Sequence, residues 1–218
     1  MTYVAHQNEY RFLILGVGGA GKTCVLESLK TRFSPMPGLA PAQIVPTVGL
    51  NLARLEVPAA RGGAETCVFW DLGGAPGLRG IWERYYAECD GVLFVVDAAL
   101  SAENTAEDDR SKEDDRSKDA VTDEQIELLR RVLAEPRLAG APALVLVNKA
   151  DAVSDARAER MKCACASALV TAGTQRHRVE QTVGTVGRGV DRGVDWLVGA
   201  TVRCERAERR LAAAARER

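Results

Sequence analysis

The 218-residue chain predicts an α/β fold, a mostly parallel sheet with helices on both faces. Three observations carry that reading. Short apolar runs alternate with helix-compatible segments, as repeated strand–helix–strand units require. A glycine-rich loop stands between the first apolar run and the first helical pattern. The second and third runs are joined only through Pro58-Ala-Ala-Arg-Gly-Gly63, too short for a crossover helix, so these two strands should form an antiparallel hairpin.

Taken in order, strands are expected over residues 11–15, 50–57, 66–72, 91–96, 143–148 and 178–181, six in all. Five helices fill the gaps, over residues 22–30, 81–87, 123–135, 155–171 and 189–211. The last carries Val190, Val194, Leu197, Val198 and Val202 at helical spacing, a stripe for docking on the sheet. Between the fourth strand and the third helix, Glu107-Asp-Asp-Arg-Ser-Lys112 is repeated unchanged as Glu113-Asp-Asp-Arg-Ser-Lys118. Residues 101–124 hold ten acids against four bases and almost no large aliphatic side chain, so residues 101–122 read as a solvated, disordered acidic insertion. The organisation expected is an N-terminal segment over residues 1–10, one domain over residues 11–203 and a charged extension over residues 204–218.

Composition narrows the function classes. Apolar residues at 46% and charged residues at 27% suit a folded globular chain. A formal charge of -1 supplies no field for steering onto nucleic acid, so no nucleic-acid partner is expected. No apolar run approaches a membrane span, and the first residues carry neither a secretory pattern nor a myristoylation glycine, which leads to the expectation of a cytoplasmic chain. The six cysteines include no CxxC pair; Cys163-x-Cys165 with His177 lacks a fourth ligand for zinc.

The loop Gly16-Val-Gly-Gly-Ala-Gly-Lys22-Thr23 follows the strand Phe12-Leu-Ile-Leu15 and precedes a helical run, the context a phosphate-binding loop needs. Gly18, Gly19, Ala20 and Gly21 turn backbone N–H groups around a polyphosphate, and the helix start adds positive potential at Thr23 and Cys24. Lys22 reaches the β and γ phosphates, and the Thr23 hydroxyl can take Mg²⁺. The base is read from Asn148-Lys149-Ala150-Asp151, directly after the fifth strand, where doubly wound folds bind ligands. A carboxylate at Asp151 can accept from both N1–H and the 2-amino group of guanine, donors adenine lacks on that edge. The expected ligands are therefore GTP and GDP with Mg²⁺.

Pro46-Thr-Val-Gly-Leu-Asn51, Phe69-Trp-Asp-Leu-Gly-Gly74, and Tyr85-Tyr-Ala-Glu-Cys89 closely resemble the Arf family of small GTPases. Together with Lys30-Thr-Arg-Phe33 and Gly189-Val-x-x-Gly193-Val-Asp-Trp196, they are most similar to its Golgi-associated, Arf-related branch. The resemblance implies the small-GTPase version of the phosphate-loop fold and a GTP-dependent switch in Golgi vesicle traffic. It implies exchange-factor and effector proteins as partners and peripheral membrane attachment through a receptor. It also implies that Thr47 ligates Mg²⁺, that Asp71 holds it through water, and that the Gly74 amide meets the γ-phosphate. Leu50, Trp70 and Tyr85 match effector-facing positions of the family, with core packing as the competing reading.

Three positions depart from the family. Ala75 stands where the family has the Gln that orients the attacking water, so hydrolysis is expected to be weak or absent and the alternative is a GTP-loaded scaffold. Gly18 replaces the usual Asp of the loop. Val183 and Gly184 replace the usual Ser-Ala at the guanine loop, with a Gly184 N–H expected to serve guanine O6.

Overall fold

The computed structural model describes residues 9–59, 62–100, 115–174 and 176–216, with backbone alone for residues 115–123. Among the described residues six strands form one sheet: β1 (Glu9–Leu15), β2 (Leu50–Pro58), β3 (Ala64–Leu72), β4 (Gly91–Asp97), β5 (Ala143–Asn148) and β6 (His177–Gln181). Their order is β2-β3-β1-β4-β5-β6. Only β2 runs antiparallel, paired with β3 from Leu50↔Leu72 to Pro58↔Ala64, as the short connection requires. β1 lies parallel between β3 and β4, and β4, β5 and β6 continue parallel.

Because five strands are parallel, their carboxyl ends fall on one edge of the sheet, where chain direction also switches on either side of β1. The loops leaving β1, β3, β4, β5 and β6, and the segment entering β2, meet there. Helices α1 (Lys22–Phe33) and α4 (Val190–Thr201) pack on each other and on one face, α2 (Asp115–Leu133) and α3 (Asp155–Thr171) on the other. Phe12, Phe69, Phe94, Leu13, Leu93 and Leu129 are fully buried between these layers, Phe12 stacking on Phe69 at 5.2 Å. α5 (Glu205–Arg216) closes the end of the sheet opposite the crevice. No helix among the described residues is long and apolar enough to cross a membrane.

Five α-helices are present among the described residues, as expected, but through compensating changes. The helix expected over residues 81–87 is instead a 3₁₀ segment, Pro76–Arg84, followed by turns. Gly77 and Gly80 disfavour an α-helix there, and the Trp82 indole N–H is held by the Gly73 carbonyl at 2.9 Å. The single helix expected over residues 189–211 breaks after Thr201, where Cys204 donates to the Gly140 carbonyl and α5 starts in a new direction. α2 begins at Asp115, eight residues before the expected 123, and so takes in the end of the acidic stretch. The rest of that stretch, residues 101–114, lies outside the described residues, as does the N-terminal segment before Glu9.

Candidate functional site

The loop after β1 and the turn after β3 lie so close to their neighbours that a glycine in each, Gly21 and Gly74, admits no side chain. A Cβ on Gly21, at φ 93°, would stand 2.3 Å from the Asn148 Nδ2. A Cβ on Gly74 would stand 2.3 Å from both the Gly16 carbonyl and the Lys22 Nζ. The turn after β3 is thus seated against the phosphate loop. Gly18 and Gly19 are exposed on the crevice side, whereas Ala20 is buried beneath them.

Lys22 opens α1 with its ammonium folded over the loop, donating to the Gly16 carbonyl at 3.1 Å and the Val17 carbonyl at 2.8 Å. Burial lowers its pKa to about 8, against the nearby Asp71 charge, which raises it; Arg79 adds to the lowering. A polyphosphate at this place would restore the full charge and replace two neutral acceptors with an anion. Beside it Thr23 donates to Asp71 Oδ2 at 2.7 Å and shares a 2.8 Å contact with the Thr47 hydroxyl, which itself lies 3.4 Å from Asp71 Oδ2. Asp71 is fully buried. Desolvation pushes its pKa up, opposed by Thr23, Lys22 and Thr47, and its Oδ1 has no hydrogen-bond partner among the described residues. Cys24, the next residue of α1, is half-buried.

Asn148, at the end of β5, ties the guanine side to the phosphate side. Its Nδ2 donates to the Ala20 carbonyl at 2.9 Å, and its Oδ1 accepts from the Gly184 N–H at 2.8 Å and the Thr182 hydroxyl at 3.3 Å. The Gly184 amide is therefore turned inward onto Asn148 rather than presented to a base, and Val183 is buried beside it. Lys149 is the one non-glycine among the described residues with positive φ, at 59°, and pairs with Asp97 Oδ2 at 2.7 Å. Asp151 is exposed and makes no hydrogen bond to the described residues, which leaves its carboxylate free at the crevice rim.

Sequence reasoning missed the support behind these groups. Asp97, at the end of β4, is buried; its backbone N–H and C=O both bond the buried Gln125 side-chain amide, at 2.9 Å and 3.2 Å. The signal available was an acid closing an apolar strand, Val95-Val96-Asp97, on the same edge as Asn148. Arg79, also missed, donates to the Gly74 carbonyl at 3.0 Å and braces the turn on the phosphate loop.

The sequence model of the ADP-ribosylation factor family matches residues 1–201. The chain belongs to the Arf family. ADP-ribosylation factor-related protein 1 of Rattus norvegicus is 35% identical over 202 residues, spanning 92% of this chain and 89% of that protein. ADP-ribosylation factor-like protein 3 of Saccharomyces cerevisiae is 32% identical over 200 residues, spanning 92% and 88%. In shape, the Arl6 BBS3 small GTPase from Trypanosoma brucei, solved with the nucleotide analogue GppNp, superposes with a TM-score of 0.62 at 24% identity, covering 89% of this chain and 98% of that one. That likeness bears on the fold.

As an Arf-family small GTPase the chain is a guanine-nucleotide-binding switch. The positions matched to effector contacts in this Arf-family protein divide by burial. Leu50 is exposed at the start of β2, and Leu52 and Val48 extend the apolar rim. Trp70 is buried, its ring 5.2 Å from that of Tyr85 and under the Arg11 guanidinium at 5.7 Å, so packing accounts for most of its surface. Tyr85 is half-buried.

Proposed function

We propose that this Arf-family GTPase binds GTP and GDP with Mg²⁺ and recruits effector proteins while the triphosphate is bound. The observation that carries the reading is the meeting of three hard oxygen donors, Thr23, Thr47 and Asp71, beside Lys22. The buried Asp71 Oδ1, unpaired among the described residues, fits a site built for a cation. Thr23 and Thr47 would ligate Mg²⁺ directly and Asp71 through water; the ion would neutralise phosphate charge. Thr47 and the Gly74 amide then belong to segments whose place on the phosphate loop depends on the γ-phosphate, so loss of that group frees both. Asp151 supplies guanine recognition. Likeness to the Arf-related branch supports action in Golgi vesicle traffic, with attachment through a membrane receptor and loading by an exchange factor.

Ala75 favours a second reading, a GTP-loaded scaffold that hydrolyses poorly. It is exposed at the start of the 3₁₀ segment, and a Cβ on Gly18 would lie 3.7 Å from its amide nitrogen, so Ala75 stands over the phosphate loop. A methyl group there can orient no water. Even with the amide in place, an unaided GTPase of the Ras type turns over at roughly 10⁻⁴ per second. Single-turnover hydrolysis of loaded protein tests this: Ala75→Gln should exceed the natural chain by about tenfold or more. Equal, readily measured rates would overturn the scaffold reading, and loss of GTP binding on calorimetry would overturn both.

A further inference from the structure

Helix α5 lies beyond the family match, which ends at residue 201, yet it is bonded firmly to the domain. Arg210 straddles Asp90, Nε to Oδ1 and Nη2 to Oδ2, both at 2.7 Å; Asp90 is fully buried and also accepts the Arg11 backbone N–H at 2.8 Å. Arg206 donates to the carbonyls of Cys89 at 2.8 Å, Tyr86 at 2.6 Å and Ala139 at 3.4 Å. Apolar adhesion is thin by comparison: Ala207 is buried, Leu211 only partly, and most of the alanines that follow are exposed. A helix of 12 residues is marginal by itself in water, so its seating depends on these charge-assisted bonds.

Most of those bonds end on residues 86–90, the far end of the segment that begins at Gly73. A continuous set of hydrogen bonds links the two ends. Gly73 holds the Trp82 indole, Tyr85 N–H bonds the Trp82 carbonyl at 3.0 Å, and Cys89 N–H bonds the Tyr85 carbonyl at 3.2 Å. Between them runs a nine-residue 3₁₀ segment, far longer than the three or four residues such geometry ordinarily sustains. In this structure Gly74 rests on the phosphate loop while α5 is seated.

We propose that α5 is a nucleotide-sensing strap, seated when the Gly73-Gly74 turn rests on the phosphate loop as a triphosphate would hold it, and loosened in the diphosphate state. The proposal rests on the switch reading above. Movement of the turn shifts residues 82–90 and misaligns the carbonyls that Arg206 grips. Coupling is reciprocal: whatever factor the triphosphate adds to α5 seating, seating adds to the preference for triphosphate over diphosphate.

The test is hydrogen exchange on the full chain loaded with GDP or with GTPγS, with occupancy measured in the same samples. Residues 205–216 should exchange about fivefold or more faster in the GDP form. The paired substitutions Arg206→Ala and Arg210→Ala should lower the GTPγS-to-GDP affinity ratio by a like factor, whereas Arg209→Ala, an exposed residue paired with Glu205, should leave it unchanged. Equal protection in both states, or equal loss of both affinities in the paired variant, overturns the strap while leaving the switch intact. Absence of any guanine-nucleotide binding by the natural chain overturns both. Should the alanine variants fail to fold, the exchange comparison on the natural chain still decides, with Arg210→Lys as the milder substitution.

Discussion

The two sides of the nucleotide crevice are built differently. The guanine side is cross-braced: Asn148 alone bonds three partners from the loops after β1 and β6, and Asp97 with Gln125 stands behind Lys149. The switch side is lightly held. Residues 34–49 carry exposed Met36, Leu39, Val45 and Val48, and Thr47 reaches the site through hydroxyl contacts with Thr23 and Asp71. The contrast teaches how one crevice can both hold a base and move with a phosphate. One wall keeps its shape without the ligand, and the other is set by a few oxygens that a γ-phosphate and a cation would take over.

Breaking the braced side should produce the largest effect. Asn148→Ala leaves the Ala20 carbonyl and the Gly184 N–H buried without a partner, at about 1–3 kcal/mol for each orphaned group. Urea unfolding should therefore show a loss of about 2–6 kcal/mol along with lost nucleotide binding. Asp151→Ala, at an exposed carboxylate with no bond to the described residues, should change stability by less than about 0.5 kcal/mol while abolishing the preference for GDP over other diphosphates. Equal stability losses in the two variants would erase the distinction between brace and reader.

On the switch side the order of effects reverses. Thr47→Val removes the hydroxyl contacts at a partly exposed loop, so stability should move by less than about 1 kcal/mol. The GTPγS-to-GDP affinity ratio measured by calorimetry should nevertheless drop at least about fivefold. A stability loss as large as that of Asn148→Ala would mean that Thr47 is a structural brace and not a sensor.

These differences also explain what the sequence made legible. β5 over residues 143–148 and α3 over residues 155–171 matched their expected bounds because local signals agree, an apolar run ending at Asn148 and a Ser154 cap accepting from the Arg157 N–H. The phosphate loop and Asn148 to Asp151 were legible because their spacing is set by chemistry within a few residues. Gln125 behind Asp97 and Arg210 on Asp90 were not, since those partners lie 28 and 120 residues apart and leave no periodic trace. The turn of direction between α4 and α5 failed for the same reason: Val202-Arg203-Cys204 contains no helix breaker, and the bonds that redirect the chain reach Gly140, Cys89 and Asp90.

The smallest effect at neutral pH concerns the thiols. Burial pushes Cys89 and Cys165 up to about 12, and raises Cys67 as well, while Cys163 is exposed. A neutral alkylating reagent attacks thiolate, so at pH 8 Cys163 should label rapidly and the buried Cys67, Cys89, Cys165 and Cys204 only on unfolding. Cys24 should label slowly in ligand-free protein and be covered by bound nucleotide, marking the boundary between the braced core and the open crevice. The sign in alkali follows from linkage. A thiol whose native pKa lies above its unfolded value favours the native state fully below that unfolded value, and loses the advantage as pH rises toward the native one. Between about pH 9 and 12 Cys89 and Cys165 should therefore each remove up to about 1.4 kcal/mol of stability per pH unit. Replacing Cys165 with Ala should flatten that alkaline decline, with a cost at pH 7 confined to the lost packing, and an unchanged slope would mean that this thiol already reaches solvent in the native state.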